Sequence, residues 1–370
     1  MTSPRLSIAD CNVRRVVIEE SVPFSVPTSF EIGPCLRAID NPRRFAPSVK
    51  SALIEYFELE DVIFDGQTGA IFKDGVHVHE TRYSTQPSHT FNVDSSRVVK
   101  QEDPSLLLIG FHAWHHNYYH WLTQSIPSLS WGLRLCDPTK SFLALPALNA
   151  FQEHALKLSG VPNVRRSLVD PHKQYEVARL VYTTFTQGAS TYRPSAKAVE
   201  VFREMRSRVY PAPATADSVV YVSREDTRVR SMANEGELTA MLKKEGVEIV
   251  IPTQLSLEEQ IGRFYTAKAV IGPHGAGLTN IIFCQPGATL YEIMSDRKPN
   301  ACYATLAQSM GMNYRAEAFR SDPAEGSEKW CADLQEVVSA ARELMKVPSF
   351  QVPLESPNGN STPQVPSKPQ

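Results

Sequence analysis

The sequence predicts an α/β protein of two Rossmann-like domains facing across a cleft, with a small β-rich lead-in and a disordered C-terminal tail. Three observations carry this. Buried-strand and helix patterns alternate through most of the chain, and such alternation implies parallel sheets covered by helices. A Pro-Ala-Pro-Ala segment, Pro211 to Ala214, separates two alternating blocks that share no repeat, as an interdomain linker would. The second block closes on VIGPHGAGLTNIIFCQPGATLYEI, Val270 to Ile293, which reads as strand, glycine turn, helix, turn and strand.

Each element follows in order. Residues 1–61 carry Pro4, Pro23, Pro27, Pro34 and Pro42 with little helical periodicity and read as an irregular lead-in. From Val62 to Val98, short alternating runs broken by Asp65–Gly66 and Asp74–Gly75 predict a small antiparallel region with hairpin turns. It opens the first domain, 62–210. There SLLLIGF, SFLALPAL and VARLVYTTF are strands, and Asn117–Leu135, Ala150–Ser159 and Ser195–Val209 are helices. The second domain, 215–346, begins with the strand SVVYVSR. A helix over Asn234–Glu245, the strand VEIVIP and a helix over Ser256–Ala267 follow. Asn234 with Glu237, and Ser256 with Glu259, have capping-box spacing. In the glycine segment the strand spans Ala269 to Gly272, the turn Pro273 to Gly277, a helix opens near Leu278, and a second strand ends at Glu292. Residues 347–370 are rich in Pro, Ser and Asn and read as disordered.

Bulk composition narrows the function classes. The 370 residues are 42 % hydrophobic and 21 % charged, ordinary for a soluble globular chain. A net charge of −2 argues against a nucleic-acid partner, because proteins that track phosphates carry a cationic excess. The start, MTSPRLSIADCNVRR, has no signal-like apolar core, and no run is apolar enough to span a bilayer. The six cysteines form no CxxC pair, so buried free thiols in a reducing compartment are the default. The expected location is cytoplasmic.

The chemistry concentrates in three segments. In GPHGAGL, a strand feeding a glycine turn and a helix directs backbone N–H groups and the positive end of the helix dipole at one point, a setting for a phosphate. Gly275 and Gly277 allow close backbone approach, and His274 adds a donor at the mouth. Alternatively, the glycines serve only a tight strand-to-helix turn. Glu292, placed at a strand's carboxyl end, could accept hydrogen bonds from a ribose. The turn has neither the GxxxxGK[ST] nor the GxGxxG order, which excludes a P-loop and a dinucleotide fingerprint. In YVSREDTRVR, Ser223 and Arg224 end a strand at the same sheet edge, and the arginine fork suits a diphosphate. Arg228 and Arg230 read as solvated loop charges. In HAWHHNYYHWLTQ, His112, His115, His116 and His120 are interleaved with aromatic rings that could stack on sugars. His120, near a helix start, is the candidate proton acceptor. A metal site on these histidines is a rival, although no HExxH accompanies them.

NYYHWLTQSIPSL, YVSREDTRVRSMANEGEL and GPHGAGLTNIIFCQPGATLYEI, in this order, resemble the glycosyltransferase family 61 domain, which is found in bacterial capsular-polysaccharide proteins, plant xylan-decorating transferases and eukaryotic O-GlcNAc or mannose-extending enzymes. The resemblance covers about Leu106 to Glu317. It implies a two-domain GT-B fold and inverting transfer of a sugar from a nucleotide-diphosphate donor, a UDP-sugar first, to a glycan or lipid-linked acceptor in polysaccharide biosynthesis. No metal or other cofactor is implied. By matching motif, Ser223, Arg224, His274, Gly275, Ala276, Gly277, Leu278 and Glu292 form the donor set. His120 is the catalytic residue, and Asn117, Tyr119, Trp121 and Gln124 form the acceptor side. One departure stands out: Gln124 and Ser128 occupy the places of the family's acid and arginine in D-x-L-P-R. A non-catalytic nucleotide-sugar or glycan-binding protein of the same fold is therefore the first alternative, and a histidine-cluster metal hydrolase the second. Any membrane association would be weak and peripheral, with no basic amphipathic helix to support it.

Overall fold

Two sheets organise the chain in the computed structural model, which describes residues 6–25, 30–39, 48–81, 92–103, 105–161, 164–186, 192–227, 231–297, 299–320 and 330–352. The first sheet runs in the order Arg166–Leu168, Ser141–Leu145, Leu106–Ile109, Gln174–Thr183, Ile54–Asp65, Ile71–Lys73 and Val76–His77. Asn12–Glu19 also pairs with Ile54–Asp65, and Val98–Lys100 with Gln174–Thr183. The first four strands are parallel, and pairing turns antiparallel from Gln174–Thr183 onward. The sheet is therefore mixed, where strand–helix alternation predicts a parallel one. Between Ile54 and His77 no crossover helix intervenes, so consecutive strands fold back on one another. Asp74 and Gly75, both with positive φ (52° and 75°), form the two-residue hairpin expected at that dipeptide.

The lead-in is not irregular. Asn12–Glu19 and the twelve-residue strand Ile54–Asp65 belong to the first sheet, while Glu31–Ile32 adds to the edge of the second. Prolines hide these strands in the sequence, because their partners lie far along the chain. Part of the predicted hairpin region, 82–91, lies outside the described residues.

The second sheet has the order Glu248–Val250, Ser218–Val222, Ala267–Pro273, Thr289–Ser295, Asn313–Phe319 and Glu31–Ile32, and every pairing is parallel. All seven residues of Ala267–Pro273 are buried, as a central parallel strand requires. The strand order reverses between Ser218–Val222 and Ala267–Pro273, and open α/β sheets bind ligands at the carboxyl edge of such a switch point. Helix Leu257–Tyr265 opens with the predicted capping box, Ser256 and Glu259 exchanging hydrogen bonds. The box expected at Asn234 does not form. Its side chain instead bonds Ala332, donating to the carbonyl at 2.8 Å and accepting from the N–H at 3.1 Å, so a tertiary contact displaces the local cap.

One continuous apolar core joins the two halves, including Leu108, Trp121 and Phe202 of the first and Phe264, Leu278 and Ile281 of the second. Helix Ala196–Val209 lies on this seam, with the Arg206 guanidinium 4.5 Å over the Tyr265 ring. The C-terminal segment is docked at least to Val352, against the expectation of disorder from Val347. Lys268 Nζ donates to the Val347 carbonyl at 2.7 Å, Phe350 and Ala216 exchange backbone hydrogen bonds, and the Val352 N–H donates to Gln285 Oε1 at 3.0 Å. Residues 353–370 lie outside the described residues. Among the described residues, no helix is long and apolar enough to cross a membrane.

Candidate active site

The site forms where Ser218–Val222 and Ala267–Pro273 end side by side. Ser223 is buried and extends the edge, its N–H donating to the Val250 carbonyl at 2.8 Å. The Arg224 N–H donates to Glu235 Oε1 at 2.7 Å, and the Tyr221 hydroxyl reaches the same oxygen at 3.1 Å. Glu235 is the first residue of helix Glu235–Lys244 and is buried, and burial pushes its carboxyl group up from the usual carboxylate range. The backbone that carries Arg224 is thus clamped from below. Arg228 and Arg230 lie outside the described residues.

Across the switch point, the strand gives way at Gly275 to a 3₁₀ helix, Ala276–Phe283, rather than to an α-helix opening near Leu278. Gly275 is extended, with φ 174°, so its glycine answers a need for space and not for a left-handed turn. A Cβ there would come within 1.5 Å of Arg224 Nη1: the guanidinium lies directly over Gly275. At Gly277 a Cβ would meet Val222 Cγ1 at 2.9 Å and Pro252 Cγ at 3.2 Å, so this glycine permits close packing of helix on strand. Ala276 is half-buried, while Leu278 is wholly buried in the core.

His274 is held on three sides. Its N–H donates to the Ile293 carbonyl at 2.8 Å, its Nδ1 lies 2.5 Å from Glu292 Oε1, and its ring packs on Tyr303 at 5.3 Å between centroids. Tyr303 in turn donates its hydroxyl to the Gly275 carbonyl at 2.6 Å. Glu292 requires a correction. It sits in the middle of Thr289–Ser295 and is fully buried, with Oε2 accepting from the Tyr314 hydroxyl at 2.6 Å. With both oxygens engaged inside the sheet, it orients His274 instead of facing a ribose.

On the first half, Asn117 caps the helix that begins at Tyr118, its side chain accepting from the Tyr119 N–H at 2.9 Å. A π-helical turn, Trp121–Ser125, follows, in which the Ile126 N–H bonds back to the Trp121 carbonyl. This turn carries Trp121 and Gln124 into the core, where both are buried; Gln124 Oε1 accepts from Thr186 Oγ1 at 3.0 Å. Neither can face an acceptor, which corrects their assignment to that side. Ser128 is likewise buried, against Thr183 Oγ1 at 2.5 Å. Tyr119 does reach the other half, edge-on to Tyr303 at 5.8 Å. His120 is half-buried beside Tyr119 and His112. Burial, and after it the charge of His116, lowers its pKa to about 4, so it is unprotonated at neutral pH. Among the described residues, no group of three or more His, Cys, Asp or Glu side chains is arranged to hold a metal ion.

The structure thus brings Arg224, Gly275, His274 and Glu292 together, with Tyr119 nearby through Tyr303. Sequence reasoning missed Tyr303, Tyr314 and Glu235. The first two belong to helix Cys302–Ser309 and strand Asn313–Phe319, beyond the motifs, and no local spacing marks them. Glu235 could have been suspected as an acid in a first helical turn close after the Ser-Arg strand end.

The Glycosyltransferase 61 family model matches residues 118–291, a span that contains Tyr119, Arg224, His274 and Gly275 and ends one residue before Glu292. The chain is 35 % identical over 109 residues to the EGF domain-specific O-linked N-acetylglucosamine transferase of Drosophila melanogaster, covering 29 % of this chain and 21 % of that protein. It is 31 % identical over 86 residues to a beta-1,2-xylosyltransferase of Arabidopsis thaliana, covering 23 % and 16 %. With an alpha-1,3-arabinosyltransferase of Oryza sativa subsp. japonica it shares 28 % over 114 residues, covering 29 % and 20 %. The chain spans about a fifth of the length of these curated relatives. Over residues 118–291, a little under half of its length, the chain is similar to the glycosyltransferase 61 family.

Proposed function

We propose that the protein is an inverting, metal-independent glycosyltransferase of GT-B architecture. It would move a sugar from a nucleotide-diphosphate donor, a UDP-sugar first, to the hydroxyl of a glycan or lipid-linked acceptor in polysaccharide biosynthesis, at a cytoplasmic location. The observation that carries this reading is the Arg224 guanidinium seated over Gly275, beside His274, at the carboxyl edge of the switch point. Fixed positive charge there suits a leaving diphosphate, whose negative charge grows in the transition state. In the reaction, the acceptor hydroxyl gives its proton to a base while its oxygen bonds the anomeric carbon. The bond from that carbon to the diphosphate breaks on the opposite face, and the diphosphate leaves with the electron pair. His120 is the candidate base: unprotonated at neutral pH, it has a lone pair to accept the proton. The names of the relatives, each a transferase of a sugar, support the reaction class.

Calorimetric titration with UDP, GDP, CDP and CMP, with and without EDTA, tests the donor side. Binding of one nucleoside diphosphate that persists in EDTA and is lost in Arg224→Ala is the expected result. No binding by any of the four would overturn the reading. A second reading, a nucleotide-sugar or glycan binder without turnover, is favoured by the buried Gln124 in place of the family's acid. It predicts donor binding with no release of nucleotide across a panel of acceptor glycans.

A further inference from the structure

Resting on the reading of this site as one that takes an anionic phosphate group, we infer that Glu292 and Tyr314 are positioning residues. Together they hold the His274 proton on Nδ1 and so reserve Nε2 for the ligand. Glu292 is fully buried; one oxygen accepts from the Tyr314 hydroxyl at 2.6 Å and the other lies 2.5 Å from His274 Nδ1. An ionised carboxylate only accepts, so the proton in the second contact sits on the imidazole. Tyr314 comes from the neighbouring strand, where it pairs in register with Leu290, two residues before Glu292 and on the same face of the sheet. The arrangement is therefore set by the parallel register of two adjacent strands. The ring is further held by Tyr303, which packs on it and anchors the next carbonyl, that of Gly275.

This has a chemical consequence. With Nδ1–H committed to Glu292, Nε2 can donate to a phosphate oxygen only when the ring carries its second proton. Among the described residues, the charged and titratable groups around the ring include Glu292 on the adjacent strand, Tyr303 on helix Cys302–Ser309 and Arg224 over Gly275.

The test is nitrogen-15 NMR of the full chain labelled at histidine, with the His274 signals assigned by loss in His274→Gln, alongside titration with UDP and with inorganic pyrophosphate. The wild-type ring is expected to carry its proton on Nδ1, with and without UDP. In Glu292→Gln the tautomer preference is lost and UDP affinity falls about tenfold or more, the scale of one charge-assisted hydrogen bond. Tyr314→Phe keeps the packing and should show the same change in smaller measure. A wild-type ring protonated on Nε2, or a tautomer unmoved in both variants, would overturn the inference. If neither UDP nor pyrophosphate binds while the tautomer behaves as described, the failure belongs to the reading of the ligand and not to the positioning of His274.

Discussion

The Tyr118 hydroxyl donates to Asn280 Oδ1 at 2.7 Å, a hydrogen bond that crosses from the first half of the chain to the second. The Asn280 amide then donates to Gln260 Oε1 at 2.8 Å and to the Gly277 carbonyl at 3.2 Å. Gln260 in turn donates to the carbonyls of Pro252 and Leu255, at 3.0 and 3.2 Å. One buried polar chain therefore runs from the helix that begins at Tyr118 to the floor of the glycine turn. Gln260 is its centre.

Removing the hydroxyl with Tyr118→Phe leaves Asn280 Oδ1, which is wholly buried, without this donor. The expected loss is about 1–3 kcal/mol of stability, the scale for an orphaned buried acceptor. Denaturant unfolding of the variant against the wild type measures it. An unchanged midpoint would show that water or another donor replaces the hydroxyl.

Gly275→Ala separates binding from folding. The residue is extended, so alanine meets no backbone strain, but its Cβ would occupy the place of Arg224 Nη1. The guanidinium must swing away. Thermal unfolding should stay close to wild type, while affinity for UDP drops about tenfold or more if the arginine fork contacts the diphosphate. Calorimetry on the folded variant decides.

His120 makes acid stability a probe of its burial. Its pKa falls from the ordinary 6.5 of histidine to about 4, so between these values the unfolded chain binds more protons than the folded one. Stability attached to His120 is whole above about pH 6.5, declines as pH falls towards 4, and levels off below that. His112 and His115 shift in the same direction through their own burial. Replacing His120 with glutamine should therefore flatten the acid limb of a stability–pH profile without abolishing it. An unaltered slope would mean that His120 is well solvated.

Ser256→Ala removes the side chain that accepts from the Glu259 N–H at 3.2 Å and opens helix Leu257–Tyr265. A loss of about 0.5–2 kcal/mol is expected. Asn234→Ala tests the contrast, because its bonds run to Ala332 and not to its own helix. The cap variant should loosen amide exchange in its own first turn. The Asn234 variant should loosen the segment around Ala332 instead.

Much of this architecture is legible in the sequence because its signals are local. Alternating strand and helix patterns, the Ser256 box and the Asp74–Gly75 turn each depend on a few neighbouring residues, and all reappear in the structure. So does the meeting of Arg224 with the HGAGL turn, which follows once two parallel strands are placed side by side. Trp121 and Gln124 were placed on the acceptor side by motif resemblance, and a motif does not show that the π-helical turn Trp121–Ser125 lies buried in the core.

What the sequence by itself determined is the α/β class, the elements of the two blocks and the segments that hold the site. The tertiary structure alone decided that Glu292 turns inward to His274 and Tyr314, that Tyr303 anchors Gly275, and that residues 12–19 and 54–65 complete the first sheet. The physical reason is range. Periodicity and capping are settled within a turn or two of chain, whereas a hydrogen bond from Tyr314 to Glu292 exists only through the register of separate strands, fixed by burial of the whole sheet.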